Sequence, residues 1–196
     1  MSDLTPTCFD ILNPPLYLSS AHLPQPYNNR ESRNASLEIL KNLQIDGIIN
    51  MSTDSPVQSH HRKFYKKNNI DFFEIPIEDS KSPLKDNFLN SVIELYREQK
   101  RNNIDYTFLI HCTMGINRSA FVAGAILWAE TIENRIWNTP LEMIQWMKKC
   151  QARDRKLGLF GNSYFEMHLR KWCDSLDRPN VVLESRHRVT RNGTCF

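Results

Sequence analysis

The sequence predicts an α/β domain with a central, mainly parallel sheet flanked by helices. Short apolar segments of strand length alternate along the chain with longer segments of helical spacing, an order typical of layered α/β proteins. The chain has 196 residues, of which 40% are hydrophobic. This length and composition suit one globular domain with a core of its own, and they exclude a disordered or fibrous chain.

Four segments are predicted to be strands because each is short, apolar and bounded by polar residues, glycine or proline. In chain order they are Leu16–Leu18, Gly47–Met51, Phe72–Ile77 and Tyr106–His111. The first thirty residues are otherwise rich in proline and asparagine, which favour extended chain and loop.

Six segments have the character of helices. They are the Leu37, Leu40 and Leu43 repeat, residues 55–68, a helix from Phe88 to about residue 100, Ser119–Thr131, a helix that follows Thr139, and a helix opened by Ser163. The last two start with capping boxes, in which a Ser or Thr is followed three residues later by Glu. The mostly apolar sequence of Ser119–Thr131 indicates a buried helix.

The charge of the chain is nearly balanced, with 25 Lys and Arg against 22 Asp and Glu and a net charge of +3. This charge disfavours nucleic acid as a partner without excluding it, since nucleic-acid-binding domains usually carry a strongly basic face. The longest apolar run, Phe121–Ala129, is about half the ~20 residues that a membrane span needs. We therefore expect no membrane partner.

Five cysteines lie at positions 8, 112, 150, 173 and 195. Their number is odd and no Cys-x-x-Cys pair occurs, so neither a zinc ribbon nor a disulfide framework is predicted. Free thiols favour a reducing compartment. The expected location is intracellular, in the cytoplasm, the nucleus or both.

The segment from Phe108 to Ser119 carries the predicted chemistry. An apolar strand delivers Cys112 to a tight turn that feeds directly into a helix. Backbone N–H groups converge in such a turn and the helix N-terminus adds positive potential, so the turn predicts an anion site. Gly115 lets the turn curl tightly. Arg118 can place its guanidinium fork over the same cavity, where it matches two phosphate oxygens.

The same positive field favours the thiolate form of Cys112, which is the nucleophilic form of the side chain. A thiolate inside a phosphate cradle can attack phosphorus in line, which predicts a phosphocysteine intermediate. The pair Cys-x5-Arg is weak evidence alone, and a buried structural cysteine with Arg118 on a solvated helix start is the alternative. The conjunction of apolar strand, preceding His, central Gly, following Ser and apolar helix favours the phosphate site.

The motif His-Cys-x-x-Gly-x-x-Arg-Ser at residues 111–119 resembles the signature of the cysteine-dependent protein phosphatases, in particular the small dual-specificity phosphatases. The resemblance implies a protein-tyrosine-phosphatase-like fold, with Cys112 as nucleophile and Arg118 as phosphate ligand. It also implies that Ser119 donates to the thiolate and helps it leave, and that His111 orients and tunes the cysteine from behind. It implies no metal and no other cofactor.

The resemblance extends over about residues 10–175. Residues 16–20, 47–50 and 75–79 also match segments of that family. We therefore predict a dual-specificity phosphatase catalytic domain over residues 1–177. The helical periodicity stops after that point, and residues 178–196 are predicted to form a flexible C-terminal tail.

A general acid must protonate the leaving oxygen, and such a group contributes about 10²–10⁴ in rate. Asp79 closes the Phe72–Ile77 strand, starts a polar loop and lies 33 residues before Cys112, a spacing similar to that of the family. The same carboxylate is then expected to activate water against the phosphocysteine. Glu78 and Asp86 are nearby alternatives for this role.

Five residues line the predicted phosphate loop between Cys112 and Arg118, namely Thr113, Met114, Gly115, Ile116 and Asn117. They are uncharged, whereas phosphoinositide phosphatases of the superfamily tend to have lysines there, so protein substrates are favoured. A chain without the extra recognition loop of the larger tyrosine-specific enzymes implies a shallow pocket. Such a pocket suits phosphoserine and phosphothreonine as well as phosphotyrosine.

Two positions in or just after the loop depart from the family pattern. Met114 and Ala120 stand where the family more often has Ala and Gly, and Met114 is expected to change the rim and with it the substrate choice. Asn162 matches a position where the family often has asparagine near the site, although a helix cap explains it equally well.

The sequence thus predicts a metal-free protein phosphatase whose partners are phosphorylated proteins. An RNA 5′-triphosphatase is the first alternative, since Thr113 with Asn117 is similar to the loop of that family, which has His at the position between Thr and Gly and usually lacks the aspartate acid. A catalytically silent phospho-binding module is the second alternative. The presence of Cys112, Arg118 and Asp79 argues against it.

Overall fold

The computed structural model describes residues 5–25, 30–79, 87–134, 136–151 and 158–177. The strands are β1 (Thr7–Phe9), β2 (Leu16–Ser20), β3 (Gly47–Ser52), β4 (Asp71–Ile77) and β5 (Phe108–Cys112). The helices are α1 (Arg30–Asn42), α2 (Ser59–Lys67), α3 (Phe88–Asn102), α4 (Arg118–Glu130), α5 (Pro140–Cys150) and α6 (Ser163–Asp177). The predicted alternation of strands and helices is confirmed.

The five strands form one sheet in the order β1-β2-β5-β3-β4. Neighbouring strands are parallel except β1 and β2, which are antiparallel, so the predicted mainly parallel sheet is confirmed. Strand β5 lies in the middle, between β2 and β3. The loops that follow these three strands therefore emerge together at the carboxyl edge of the sheet. Ser20 opposes Cys112 in the register, which places the ends of β2 and β5 side by side.

Alternate residues of the central strands face two separate cores, because side chains point to opposite faces of a sheet. Ile49 belongs to the larger core, which contains the buried apolar residues of α3, α4, α5 and α6. Its neighbour Ile48 belongs to the smaller core, together with Leu40 from α1 and Tyr65 from α2. Helices therefore cover both faces of the sheet, as the fold class requires.

Helix α4 is buried on all sides, as its apolar sequence predicts. Every residue from Arg118 to Ala129 is buried, and the helix packs against α3, α5, α6 and the sheet. A Cβ added at Gly124 would lie 2.5 Å from Leu169 Cδ2, so this glycine permits the close approach of α6. The N-terminus of α4 is thereby fixed at the carboxyl edge of the sheet, directly after the predicted phosphate loop.

The predicted start of α5 is confirmed, because the Thr139 side chain caps the helix and accepts a hydrogen bond from the Glu142 backbone N–H at 3.2 Å. The start of α6 differs by one residue. Ser163 is the first helical residue, and the cap is Asn162, whose Oδ1 accepts from the Tyr164 N–H at 3.0 Å. Asparagine is among the best N-cap residues, which explains why it takes this position ahead of the serine.

The structure contains one strand that the apolar pattern does not predict. Strand β1 has only three residues and pairs at the sheet edge, so its sequence carries almost no periodicity. Helix α2 starts at Ser59 instead of residue 55. The intervening Pro56 favours extended backbone in the residue before it.

Within the described residues, no helix combines the length and the apolar character needed to cross a membrane. The predicted C-terminal tail and Asp86 lie outside the described residues.

Candidate active site

The phosphate loop predicted from the sequence is a tight connection between β5 and α4. Cys112 ends the strand and Arg118 starts the helix. Gly115 has φ +69°, and a Cβ added there would lie 2.4 Å from the backbone oxygen of Ser19, so only glycine fits. The loop is also tied to the end of β2, since the Ala21 N–H donates to the Thr113 carbonyl at 3.1 Å.

Cys112 lies at the floor of this loop and is 1% exposed. Its Sγ accepts a hydrogen bond from the Gly115 N–H at 3.2 Å and lies 3.2 Å from the buried Ser119 hydroxyl. Both groups can donate to sulfur, and the α4 N-terminus adds positive potential. The arrangement therefore brings the predicted nucleophile together with Ser119, the residue predicted to donate to its sulfur.

Arg118 is also 1% exposed, which is rare for a charged side chain. Its Nη1 donates to the Ile77 carbonyl at 3.3 Å, and its Nη2 donates to Thr113 Oγ1 and to Asp54 Oδ2, each at 2.9 Å. Among the described residues its Nε has no hydrogen-bond partner. The side chain is thus fixed over the loop while one N–H stays available for an oxyanion.

Asp54 is a site residue that the sequence reasoning missed. It follows β3, is 60% exposed, and pairs with the Arg118 guanidinium at 2.9 Å. The hydrogen bond from Arg118 holds the pKa of this carboxyl below its usual value. Its position in the sequence could have indicated this role. Asp54 lies just beyond the carboxyl end of a strand adjacent to β5, where the loops of parallel strands meet.

Thr113 is held through its side chain by neighbours within the protein. Its Oγ1 lies 2.7 Å from Ser52 Oγ and accepts from Arg118 Nη2 at 2.9 Å. Ser52 Oγ in turn accepts from the Asp54 and Ser55 N–H groups, at 3.2 and 3.0 Å. The Thr113 hydroxyl therefore connects the loop after β3 to the predicted phosphate-binding arginine.

The predicted acid, Asp79, lies two residues beyond β4 with its side chain 36% exposed. Its Oδ2 is 3.9 Å from Arg118 Nε, and its Oδ1 accepts from Asn117 Nδ2 at 3.4 Å and from Asn162 Nδ2 at 3.5 Å. The structure thus brings Asp79 to the mouth of the loop that contains Cys112. The alternative Glu78 is an exposed neighbour in the same segment.

His111 is completely buried in β5, immediately before the cysteine. Burial lowers the pKa of its imidazole to about 3, chiefly because a charged ring would lose its hydration. The ring is therefore neutral near pH 7. A neutral, completely buried imidazole is not a proton donor to substrate, and the expected role of His111 in orienting Cys112 stays a prediction.

The remaining loop residues form an uncharged rim. Met114 is 55% exposed, whereas Ile116 is partly buried and its carbonyl accepts from the Phe160 N–H at 2.8 Å. Ala120 is completely buried in α4. Of the two departures from the family pattern, only Met114 therefore lies where a substrate can touch it.

The family model described as "Dual specificity phosphatase, catalytic domain" matches residues 28–153. No curated protein matches the chain by sequence. The crystal structure of human DUSP28 is similar with a TM-score of 0.61 and 17% sequence identity, over 91% of this chain and 100% of that chain.

Two further solved structures are similar. Kinase associated phosphatase, crystallised with serine in place of its catalytic cysteine, has a TM-score of 0.63 and 16% identity, over 88% of this chain and 96% of that chain. The tyrosine phosphatase OH1 from the Orf virus has a TM-score of 0.54 and 21% identity, over 80% of this chain and 81% of that chain. These likenesses show the fold, and the family match covers well over half of the sequence. The chain belongs to the dual specificity phosphatase catalytic-domain family, a branch of the cysteine-dependent phosphatases.

Proposed function

We propose that this chain is a protein phosphatase that hydrolyses phosphotyrosine and phosphoserine or phosphothreonine through a phosphocysteine on Cys112. Family membership supports protein phosphatase activity. The observation that carries the finer proposal is the placement of the Cys112 sulfur, 3.2 Å from both the Gly115 N–H and the Ser119 hydroxyl, in the loop that ends at the buried Arg118. The proposed nucleophile and the proposed phosphate ligand then stand at the two ends of one short loop.

In the first step of the proposed reaction, the Cys112 sulfur attacks phosphorus and the bond from phosphorus to the leaving oxygen breaks. Arg118 and the backbone N–H groups of the loop bind the remaining phosphate oxygens, whose charge builds up in the transition state. Asp79 gives its proton to the leaving oxygen, and the dephosphorylated side chain departs as a neutral hydroxyl.

In the second step, Asp79 accepts a proton from a water molecule that attacks the phosphocysteine. The phosphorus–sulfur bond breaks, and its electron pair returns to Cys112. Ser119, 3.2 Å from that sulfur, donates a hydrogen bond to the departing thiolate. Inorganic phosphate leaves and the site returns to its starting state without a metal or a redox cofactor.

The pocket favours protein substrates over inositol lipids because its loop residues carry no charge and its exposed rim residue is Met114. The position of Asp79 favours this function over an RNA 5′-triphosphatase, whose family usually lacks that acid. Phosphorylated proteins are the proposed partners. An intracellular location, cytoplasmic or nuclear, is proposed from the scattered cysteines of the sequence.

The proposal is tested with three substrates: a phosphotyrosine peptide, a phosphothreonine peptide of otherwise identical sequence, and an RNA with a 5′-triphosphate. We expect phosphate release from both peptides and little from the RNA. Cys112→Ser should abolish release and still bind the phosphotyrosine peptide in calorimetry. Preferred hydrolysis of the RNA, or near wild-type turnover by Cys112→Ser, contradicts the proposal.

A further inference from the structure

We propose that Asn117 is a positioning residue for Asp79, and that it acts together with Asn162 by fixing one oxygen of the acid. The inference rests on the proposed role of Asp79 as general acid. It assigns to Asn117 a contact with the acid in place of the predicted contact with phosphate. The two amides would hold the carboxylate over the phosphate loop and leave its second oxygen free for the proton transfer.

The first observation is that Asn117 occupies the N-cap of α4 without capping it. Asparagine is a preferred N-cap because its side-chain oxygen can accept from the first turn, yet no such bond forms here. The Asn117 Oδ1 accepts instead from the Asn162 N–H at 2.9 Å. A backbone N–H can only donate, so the amide oxygen must face Asn162 and the Nδ2 must face the other way.

That other direction is Asp79. The Asn117 Nδ2 lies 3.4 Å from Asp79 Oδ1. Asn162 is oriented by the same logic, because its Oδ1 caps α6 at Tyr164 and its Nδ2 therefore points away, 3.5 Å from the same Asp79 oxygen. Two amides whose orientations are each set by a backbone N–H thus converge on one carboxylate oxygen.

Asn117 is more deeply buried than the acid that it contacts. Asn117 is 9% exposed and stands between the phosphate loop and the buried helix α4. Asp79 is exposed and follows the last strand of the sheet. Its Oδ2 is directed toward the site, 3.9 Å from Arg118 Nε. The hydrogen bonds from the two amides to Oδ1, at 3.4 and 3.5 Å, are long, and such bonds commonly tighten once substrate is bound.

The arrangement assigns different tasks to the two oxygens of Asp79. Oδ1 is held by the amides, and Oδ2 carries the proton that passes to the leaving oxygen as the bond to phosphorus breaks. In the second step the same Oδ2 takes a proton from water. Loss of the amides should therefore slow only those reactions that need the proton transfer, because the Asn117 side chain contacts Asp79 and not the phosphate.

The test compares kcat/KM for aryl phosphates whose leaving phenols differ in basicity. For Asn117→Ala we expect about a tenfold loss on phosphotyrosine peptide, whose leaving group is basic and needs the acid. The loss should be less than about twofold on an activated aryl phosphate, whose weakly basic leaving group departs without a proton. Asn90→Ala is the matched control, since Asn90 is an exposed residue of α3 that contacts Trp172 away from the loop.

A double-mutant cycle with Asp79→Ala separates the inference from the proposed function. If Asn117 acts through Asp79, then Asn117→Ala should cause no further loss of kcat/KM when Asp79 is already replaced by Ala. Additive losses, or an equal loss on both substrates, overturn the inference. If Asp79→Ala itself shows no dependence on the leaving group, the proposed acid is wrong.

A second variant keeps the test valid if Asn117→Ala does not fold. Asn162→Ser retains a side chain able to cap α6 and removes the amide that reaches Asp79. It should show the same selective loss on the basic leaving group, about threefold to tenfold. An unchanged rate on phosphotyrosine peptide for this variant contradicts the part assigned to Asn162.

Discussion

The two sides of the candidate site differ in how they are held. The nucleophile side consists of Cys112, Gly115 and Arg118, which are buried and connected to the sheet and α4. The acid side consists of Asp79, which is exposed, and of the two amides that contact it. These belong to Asn117 and Asn162, 38 and 83 positions further along the chain. The proposed phosphate-binding groups therefore belong to the core, whereas the proposed proton donor lies at its edge.

This difference has a consequence for function. Groups fixed before substrate arrives stabilise transition-state charge without reorganising, and they do so for every phosphate ester. A proton donor matters only in proportion to the basicity of the leaving group. Changes on the nucleophile side should thus affect all substrates alike, while changes on the acid side should discriminate between them.

The largest loss is expected for Arg118→Lys, which keeps the charge and removes the planar fork. A lysine cannot keep the contacts of the guanidinium with Ile77, Thr113 and Asp54 and at the same time present an N–H in the place of Nε, so kcat/KM should fall about 10²–10³-fold for basic and weakly basic leaving groups alike. Steady-state kinetics on both kinds of substrate measure this effect. Arg101→Lys on the exposed face of α3 is the matched control. A loss of kcat/KM confined to substrates with basic leaving groups would contradict the proposed difference between the two sides.

Gly115→Ala should have the next largest effect, because the added methyl meets the backbone of Ser19 and the φ of +69° disfavours any side chain. We expect about a tenfold loss of activity and about 1–3 kcal/mol of lost stability in urea unfolding. Gly158→Ala is the control, since its Cβ would meet only Gln151 Oε1, at 4.0 Å. Full activity of Gly115→Ala would show that the loop is less rigid than its contacts indicate.

The smallest effect concerns His111 and the pH dependence of stability. The imidazole pKa is about 3 in the folded chain and about 6.5 when unfolded, so the unfolded state binds more protons between these values. The contribution of the neutral ring is complete above pH 6.5 and is lost as the pH falls toward 3. One such proton changes the unfolding free energy by up to about 1.4 kcal/mol per pH unit.

Urea unfolding at pH 7 and pH 5 tests this prediction with His111→Gln. The variant cannot take up the proton, so its stability should fall less steeply with acid than that of the wild type. Identical slopes for both proteins would mean that the His111 ring accepts a proton without unfolding, contrary to its complete burial.

Most of the fold and the nucleophile side could be predicted from the sequence because they depend on local patterns. The apolar strand, the central glycine and the apolar helix all lie within Phe108–Ala129, and strand β1 was missed because three edge residues leave no pattern. Asp79 was predicted from its place at a strand end together with the family resemblance.

The remaining contacts depend on three-dimensional placement that no local pattern encodes. Asp54 meets Arg118 across 64 positions of sequence, and nothing in the Ser-Thr-Asp-Ser segment distinguishes it from an ordinary turn. Asn117 was assigned to phosphate binding from its place in the motif. Its orientation follows only from the Asn162 N–H, whose position depends on how α6 packs against α4.

The most direct measurement is the detection of the phosphocysteine itself. Asp79→Asn should slow the second step while an activated aryl phosphate still completes the first, so phenol release should show a burst equal to the enzyme concentration. After quenching in denaturant, mass spectrometry should find phosphate on the peptide that contains Cys112, and none in the Asp79→Asn, Cys112→Ser double variant. Phosphate on another residue, or an undiminished burst in the double variant, would contradict the account.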